Sequence, residues 1–276
     1  MRGFGYRTIN VARSAVSKYH GGVNGVSVGA TAMVCLFMKG AFMNNPPVRT
    51  LLPSWELSIL LEYLQGHPFE PLHRASLGDV TLKTVFLTAI TSARRVSELG
   101  SLGRVAPYIR WESAGVRLRT VPNFLPKTAT PAHLGRDIFL PRFLANRKLC
   151  VFRCLKRYLQ ITEDFIDNSE FHMFVCHGGK RRGKAASKQT ISNWIVKVIK
   201  NAYEAKGETA PDIKAHSTRG TATSWALFNQ ASFNAVMQAA DWRQKSTFVK
   251  HYALDLWKQK DTEFGAAVLA TDDTQE

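Results

Sequence analysis

The stretch "NNPPVRTLLP" at residues 44–53 constrains this chain more than any other. Adjacent prolines remove backbone donors and clash with a preceding helical turn, so no helix runs through them. The break divides the 276 residues very unequally. We expect a partial helical domain over residues 1–45, a linker at 46–53 and a large domain over 54–276. The long part is big enough to bury a substantial core of its own.

Helical periodicity dominates on both sides of the break. In "TINVARSAVSKYH" (8–20), Ile9, Ala12, Val16 and Tyr19 share a face, with Arg13 and Lys18 off it. "GGVNG" ends that helix, and a second short one is expected over 30–42. Past the linker, Ser54 is placed to cap a helix running to Leu64, and "DVTLKTVFLTAITS" (79–92) reads as a buried helix. Ser97 is expected to cap the next one. "AGVRLRTV" (114–121) alternates as a strand, with "RDIFLP" (136–141) as its partner across a long basic loop, and "HMFVC" (172–176) is strand-like. Amphipathic helices are expected over 149–160 and 188–204, then at about 217–229, 232–240 and 246–254, with Ser217, Ser232 and Ser246 at their caps. The predicted fold class is mainly α with a small antiparallel sheet (α+β).

The charge is +16 and arrives in blocks. Residues 1–50 hold six Lys or Arg and no acid, and residues 141–200 hold thirteen against four acids. Blocks of this kind suit a phosphate backbone better than an evenly solvated surface. Four cysteines give no disulfide framework and point to a reducing compartment. No window is apolar for eighteen residues, so no membrane partner is expected.

Two short motifs bear on chemistry. His216 and Arg219 in "HSTR" lie three apart, one helical turn, and so share a face. A histidine moves protons near neutral pH, and an arginine offers a planar fork to phosphate. "TSARRVSELGSL" (91–102) sets Glu98 three residues after Arg95, where it can orient a guanidinium. Taken singly, each motif is also what a surface arginine or an ordinary helix start looks like. Other clusters read as structural. His172, Cys176 and His177 flank an apolar run and lack regular ligand spacing, and Cys150 and Cys154 share one helical face. "GGKRRGKAASK" (178–188) is a basic loop suited to backbone contact or nuclear import, and it lacks the spacing of a phosphate-binding P-loop.

Taken together, "TSARRVSEL", "HSTR" about 120 residues later, and a Trp and a Tyr in "DWRQKSTFVKHY" resemble the tyrosine recombinase (phage integrase) family over roughly residues 54–256. The wording of "TINVARSAVSKYH", "FLPKT" and "ADWRQKSTFVKHY" is most similar to the recombinases of DIRS-type retrotransposons. The resemblance implies a recombinase catalytic domain preceded by a helical core-binding (DNA-clamp) domain. It implies site-specific cleavage and rejoining of double-stranded DNA through a 3′-phosphotyrosyl link, without metal or other cofactor. It also implies a homotetramer on DNA whose C-terminal tail docks on a neighbour, working in the nucleus of a eukaryote or the cytoplasm of a prokaryote.

Carried over by motif, Arg95 and Arg219 match the two catalytic arginines, Glu98 the acid after the first, His216 the histidine, Trp242 the His/Trp position and Tyr252 the nucleophile. Lys127 in "FLPKT" matches the hairpin lysine. Arg119 and Arg136 are the other basic candidates there, but lysine can lose a proton and arginine effectively cannot. In most family members the tyrosine follows the His/Trp by nine residues. Here His251 stands at nine and Tyr252 at ten, with the turn "RQKS" as the place for the extra residue. Arg13, Lys18, Lys180, Arg181, Arg182, Lys184 and Lys188 are the expected DNA contacts. A catalytically inactive DNA-binding relative and a type IB topoisomerase are the competing readings.

Overall fold

The computed structural model describes residues 3–46, 55–127, 129–132, 134–167 and 169–242. Contacts divide the chain into two compact units, Met1–Leu52 and Pro53–Glu276. The first holds α1 (Tyr6–Tyr19) and α2 (Ala32–Asn44). The predicted inner face of α1 is corrected here, because Val16 and Tyr19 are exposed. The face turned inward carries Tyr6, Ile9, Arg13 and Ser17 instead. Ser17 Oγ accepts the Gly29 N–H at 2.8 Å, a Cβ at Gly29 would collide with that hydroxyl, and Tyr6 meets Phe42 edge-on at 5.2 Å. A hydrogen bond and a glycine contact thus set a face that apolar periodicity alone misplaces.

The second unit contains α3 (Leu57–Tyr63), α4 (Leu77–Ser92), α5 (Val96–Leu99), β1 (Ile109–Trp111), β2 (Gly115–Leu118) and β3 (Ile138–Pro141). It continues with α6 (Val151–Thr162), α7 (Lys188–Ala205), α8 (Ser217–Phe228) and α9 (Phe233–Ala239). The mainly helical body and small antiparallel sheet are those expected. Helix α4 is the hub, packed against α6, α7, α8 and β3. Buried nearly all round, it satisfies its hydroxyls locally: Thr84, Thr88 and Ser92 each donate to the carbonyl four residues back at 2.6–2.7 Å. Its Lys83 is fully buried and donates to Leu64 O and Glu70 Oε1, each at 2.7 Å, and Arg153 joins the same carboxylate.

The sheet has the order β1-β2-β3 and is antiparallel throughout, with Val116 opposite both Trp111 and Leu140. Strand β1 was not expected, since its three residues are too few to show alternation. "HMFVC" does not join the sheet. It makes isolated bridges, Gly103 to His172 and Val175 to Ala185, while Met173, Phe174 and Val175 fill the core.

Ser232 caps α9 by accepting the Ala235 N–H at 3.2 Å, and Ser76 and Ser187 cap α4 and α7 in the same way. Ser97 and Ser217 are not caps. Each lies inside its helix, behind N-caps Arg95 and His216. Ser54, Ser246 and the helix expected at 246–254 lie outside the described residues. No described helix is long and apolar enough to cross a membrane.

Candidate active site

Helix α4 ends at Ala93, whose φ of 51° lies in the left-handed region. The chain turns sharply there, and the two arginines that follow part company. The Arg94 side chain goes inward and is 3% exposed, whereas that of Arg95 is 31% exposed, and both residues border a cleft. Glu98 is buried behind them. It accepts the Arg95 backbone N–H at 3.0 Å and an Arg94 N–H at 3.2 Å, and Arg95 Nη1 lies 3.7 Å from its other contact oxygen, Oε2. The acid expected to orient an arginine therefore fastens both.

The second wall comes from the start of α8. Ile213 and Ala215 point into the core, His216 is exposed, and Ser217, Thr218 and Arg219 are buried again. This alternation brings His216 and Arg219 to the cleft in which Arg95 stands. The cleft has a volume of about 490 Å³, and Lys188, Asn193 and Lys214 also line it. Three expected catalytic residues and one expected DNA contact, from three segments spread over residues 95–219, thus meet in one basic concavity.

Trp242 is buried beneath Arg219, whose Cζ lies 4.8 Å from the centroid of the indole ring. Arg219 Nη2 also donates to Ala240 O. The indole thus meets the arginine with its ring face. Residues 240–242 are held from the other side as well. Asp241, at a left-handed φ of 51°, pairs with Arg94 at 3.5 Å and with Arg136 Nε at 3.7 Å.

Lys127 is exposed in the loop between β2 and β3 and is not among the residues lining the cleft. Arg119 pairs with Asp137 at 2.9 Å, and Arg136 contributes its carbonyl to Arg94. Tyr252 and His251 lie outside the described residues, as does the tail expected to dock on a neighbour. Of the basic loop, Lys180 and Arg181 sit in a 3₁₀ turn, Arg182 stacks on Phe165 at 4.5 Å, and Lys184 is exposed. Arg13 is half-buried in α1 and Lys18 is exposed.

His172 and His177 have local partners. Glu170 lies 2.6 Å from His172 Nδ1, and the His177 ring stacks on Trp194 at 5.5 Å. Burial, aided by the nearby Lys197 charge, pushes the His177 imidazole below its ordinary value. Among the described residues, no three His, Cys, Asp or Glu side chains group as a metal site.

Sequence reasoning missed Arg94, Asp241 and the cleft lysine Lys214. Arg94 stands four residues before Glu98, a helical ion-pair spacing that was open to reading. The Arg94–Asp241 pair spans 147 residues and had no local signal.

No protein-family model and no curated protein sequence matches the chain. Solved structures do. The XerA recombinase is 14% identical, with a TM-score of 0.51 over 94% of this chain and 82% of its own. The XerH site-specific recombinase, in a post-cleavage complex with a palindromic difH substrate, is 13% identical with a TM-score of 0.58. That match covers 94% of this chain but 65% of XerH, just under two thirds of its length. The Tn1549 transposon integrase, in complex with circular intermediate DNA, is 15% identical with a TM-score of 0.52 over 91% of this chain and 76% of its own. At these identities the likeness is one of fold, and the second unit has the fold of tyrosine recombinase catalytic domains.

Proposed function

We propose that this protein cleaves and rejoins double-stranded DNA as a tyrosine site-specific recombinase. The observation that carries the reading is the convergence of Arg95, His216 and Arg219 on one basic cleft. In this reading the Tyr252 oxygen attacks the scissile phosphorus. The P–O bond to the 5′-oxygen breaks, and a 3′-phosphotyrosyl link conserves the bond energy. Arg95 and Arg219 stabilise the charge that builds on the non-bridging oxygens. His216 handles the proton near the phenol, and Lys127, on its exposed loop, protonates the departing 5′-oxygen. Two fixed guanidiniums provide the charge stabilisation that a metal gives elsewhere, so the scheme calls for none.

The wider assignment rests on resemblance. It comprises integration of DIRS-type element DNA, a tetramer on DNA joined through the C-terminal tail, a DNA-clamp role for the first unit with Arg13 and Lys18 on the backbone, and action in the nucleus. Lys180, Arg181, Arg182, Lys184 and Lys188 would grip phosphates without reading sequence.

A nicked suicide duplex carrying candidate terminal repeats tests the chemistry. The wild type should form a covalent adduct that survives denaturation, and Tyr252→Phe should form none. An adduct persisting in the variant would move the nucleophile elsewhere, with His251 the first suspect. DNA binding without any adduct would favour the inactive relative. Relaxation of plasmid lacking target repeats would favour the topoisomerase.

A further inference from the structure

Helix α8 presents His216 and Arg219 to the cleft, yet its N-cap, His216, makes no side-chain capping bond. Four N–H groups at a helix start normally need outside support. Here the support for the turn comes from far away in sequence. Trp55 is 2% exposed, and its indole Nε1 donates to Ser217 Oγ at 2.8 Å, across 162 residues.

An indole N–H can only donate, so Ser217 Oγ accepts and its own proton is directed elsewhere. It goes to Lys214 O at 2.7 Å, and the Ser217 backbone N–H reaches the same carbonyl at 2.9 Å. The turn Lys214–Ser217, which holds the exposed His216, is thus closed by a polarised chain that starts at Trp55. Trp55 is itself anchored. It meets Phe86 of α4 edge-on at 6.0 Å, and the next backbone N–H, that of Glu56, donates to Tyr203 Oη of α7 at 2.8 Å. The tryptophan therefore ties the helix carrying His216 and Arg219 to α4 and α7.

We infer that Trp55 is a positioning residue for the His216–Arg219 turn, acting through the Ser217 hydroxyl. The inference rests on the proposed function for its kinetic consequence but not for its geometry. Trp55→Phe keeps a ring against Phe86 and deletes the N–H, while Ser217→Ala deletes the acceptor.

Two readouts test it. The first is the NMR signal of the His216 imidazole, identified by its loss in His216→Asn. It should shift in both variants, with no further change when they are combined. The second is single-turnover cleavage of the suicide duplex. It should slow roughly tenfold in each variant and no more in the pair, the scale of one lost buried hydrogen bond, while DNA affinity stays within about twofold. An unmoved His216 signal in Trp55→Phe overturns the inference. So does a wild-type cleavage rate in that variant, or losses that multiply in the pair. A wild type that forms no adduct sinks the recombinase reading alone, because the imidazole signal still decides the positioning role. If Trp55→Phe fails to fold, Ser217→Ala answers through the same two measurements.

Discussion

Replacing Arg94 by leucine isolates what the buried arginine does. Its side chain is 3% exposed and lies between two carboxylates, Glu98 at 3.2 Å and Asp241 at 3.5 Å, themselves 4% and 3% exposed. Leucine fills part of the volume but leaves two anions facing each other out of water. Glu98 keeps the Arg95 backbone N–H at 3.0 Å, and Asp241 keeps the half-exposed Arg136 at 3.7 Å. Removing one member of a buried ion pair costs about 3–5 kcal/mol, and two dependants on one cation place Arg94→Leu toward the upper end. That is a large share of the roughly 5–15 kcal/mol by which a folded domain exceeds its unfolded chain. Urea unfolding of the full chain, followed by far-UV circular dichroism, reads the loss. Adding Asp241→Asn to Arg94→Leu should return about 1–2 kcal/mol, because one of the two buried negative charges is gone. A loss below about 1 kcal/mol would put the pair in the class of surface salt bridges and refute the argument. So would a double variant no more stable than Arg94→Leu.

Three further outcomes follow from groups away from the cleft. Burial raises the Glu70 carboxyl, but hydrogen bonds from Arg153 and Lys83 outweigh it, so its folded value lies below the ordinary 4.5. Its contribution is then fully present above pH 4.5 and lost as pH falls through the lowered value, so Glu70→Gln should lower Tm at neutral pH and flatten the decline below pH 4.5; parallel Tm–pH curves would contradict this. Burial pushes the Cys154 thiol up to about 12, so a thiol reagent at pH 8 should label exposed Cys35 first and Cys154 only on unfolding; equal native rates would refute it. Tyr158 Oη accepts the Val175 N–H at 2.9 Å in the core, so Tyr158→Phe strands a buried amide and should cost about 1–3 kcal/mol in urea unfolding, against a refuting value under 0.5 kcal/mol.

What could be read from the chain alone was whatever repeats or recurs locally. Helices α6 and α7 announce themselves because a buried stripe must recur every 3.6 residues, and α4, buried nearly all round, by a run with few charges. The strand pair around the basic loop was legible for the equivalent reason, whereas β1, with three residues, offers too few positions to alternate. Caps were less legible. A serine can cap only where its own backbone is extended, and position 97 is already helical because Arg95 takes the N-cap place. Ser76, with Asp79 three residues on, has the extended backbone that Ser97 lacks. Among the site residues, Arg95, His216 and Arg219 could be placed by motif. Which of the adjacent arginines would turn inward could not, since that depends on the left-handed corner at Ala93 and on an aspartate 147 residues away.

Arg94 and Arg219, both on the wall of the cleft, also link two hydrophobic clusters. The main core runs through α3 to α7 and the sheet. A second, small cluster of Ala93, Val236, Ala240 and Trp242 belongs to the α4 corner, α9 and the residues just after it. Among the described residues four are buried there, with Leu227, Phe233 and Met237 partly buried against them, so burial holds that cluster less firmly than the main core. Polar links reinforce it. Arg94 reaches Asp241 from the main body, and Arg219 gives an N–H to Ala240 O while its flat face lies on the Trp242 ring. Lysine could reproduce one of those contacts but not both, because an ammonium has neither a planar face nor a fork of donors. The two arginines therefore answer to different demands within one small volume. Arg94 is required by the charges it neutralises, and Arg219 by its shape, which couples the wall of the cleft to the segment leading toward Tyr252.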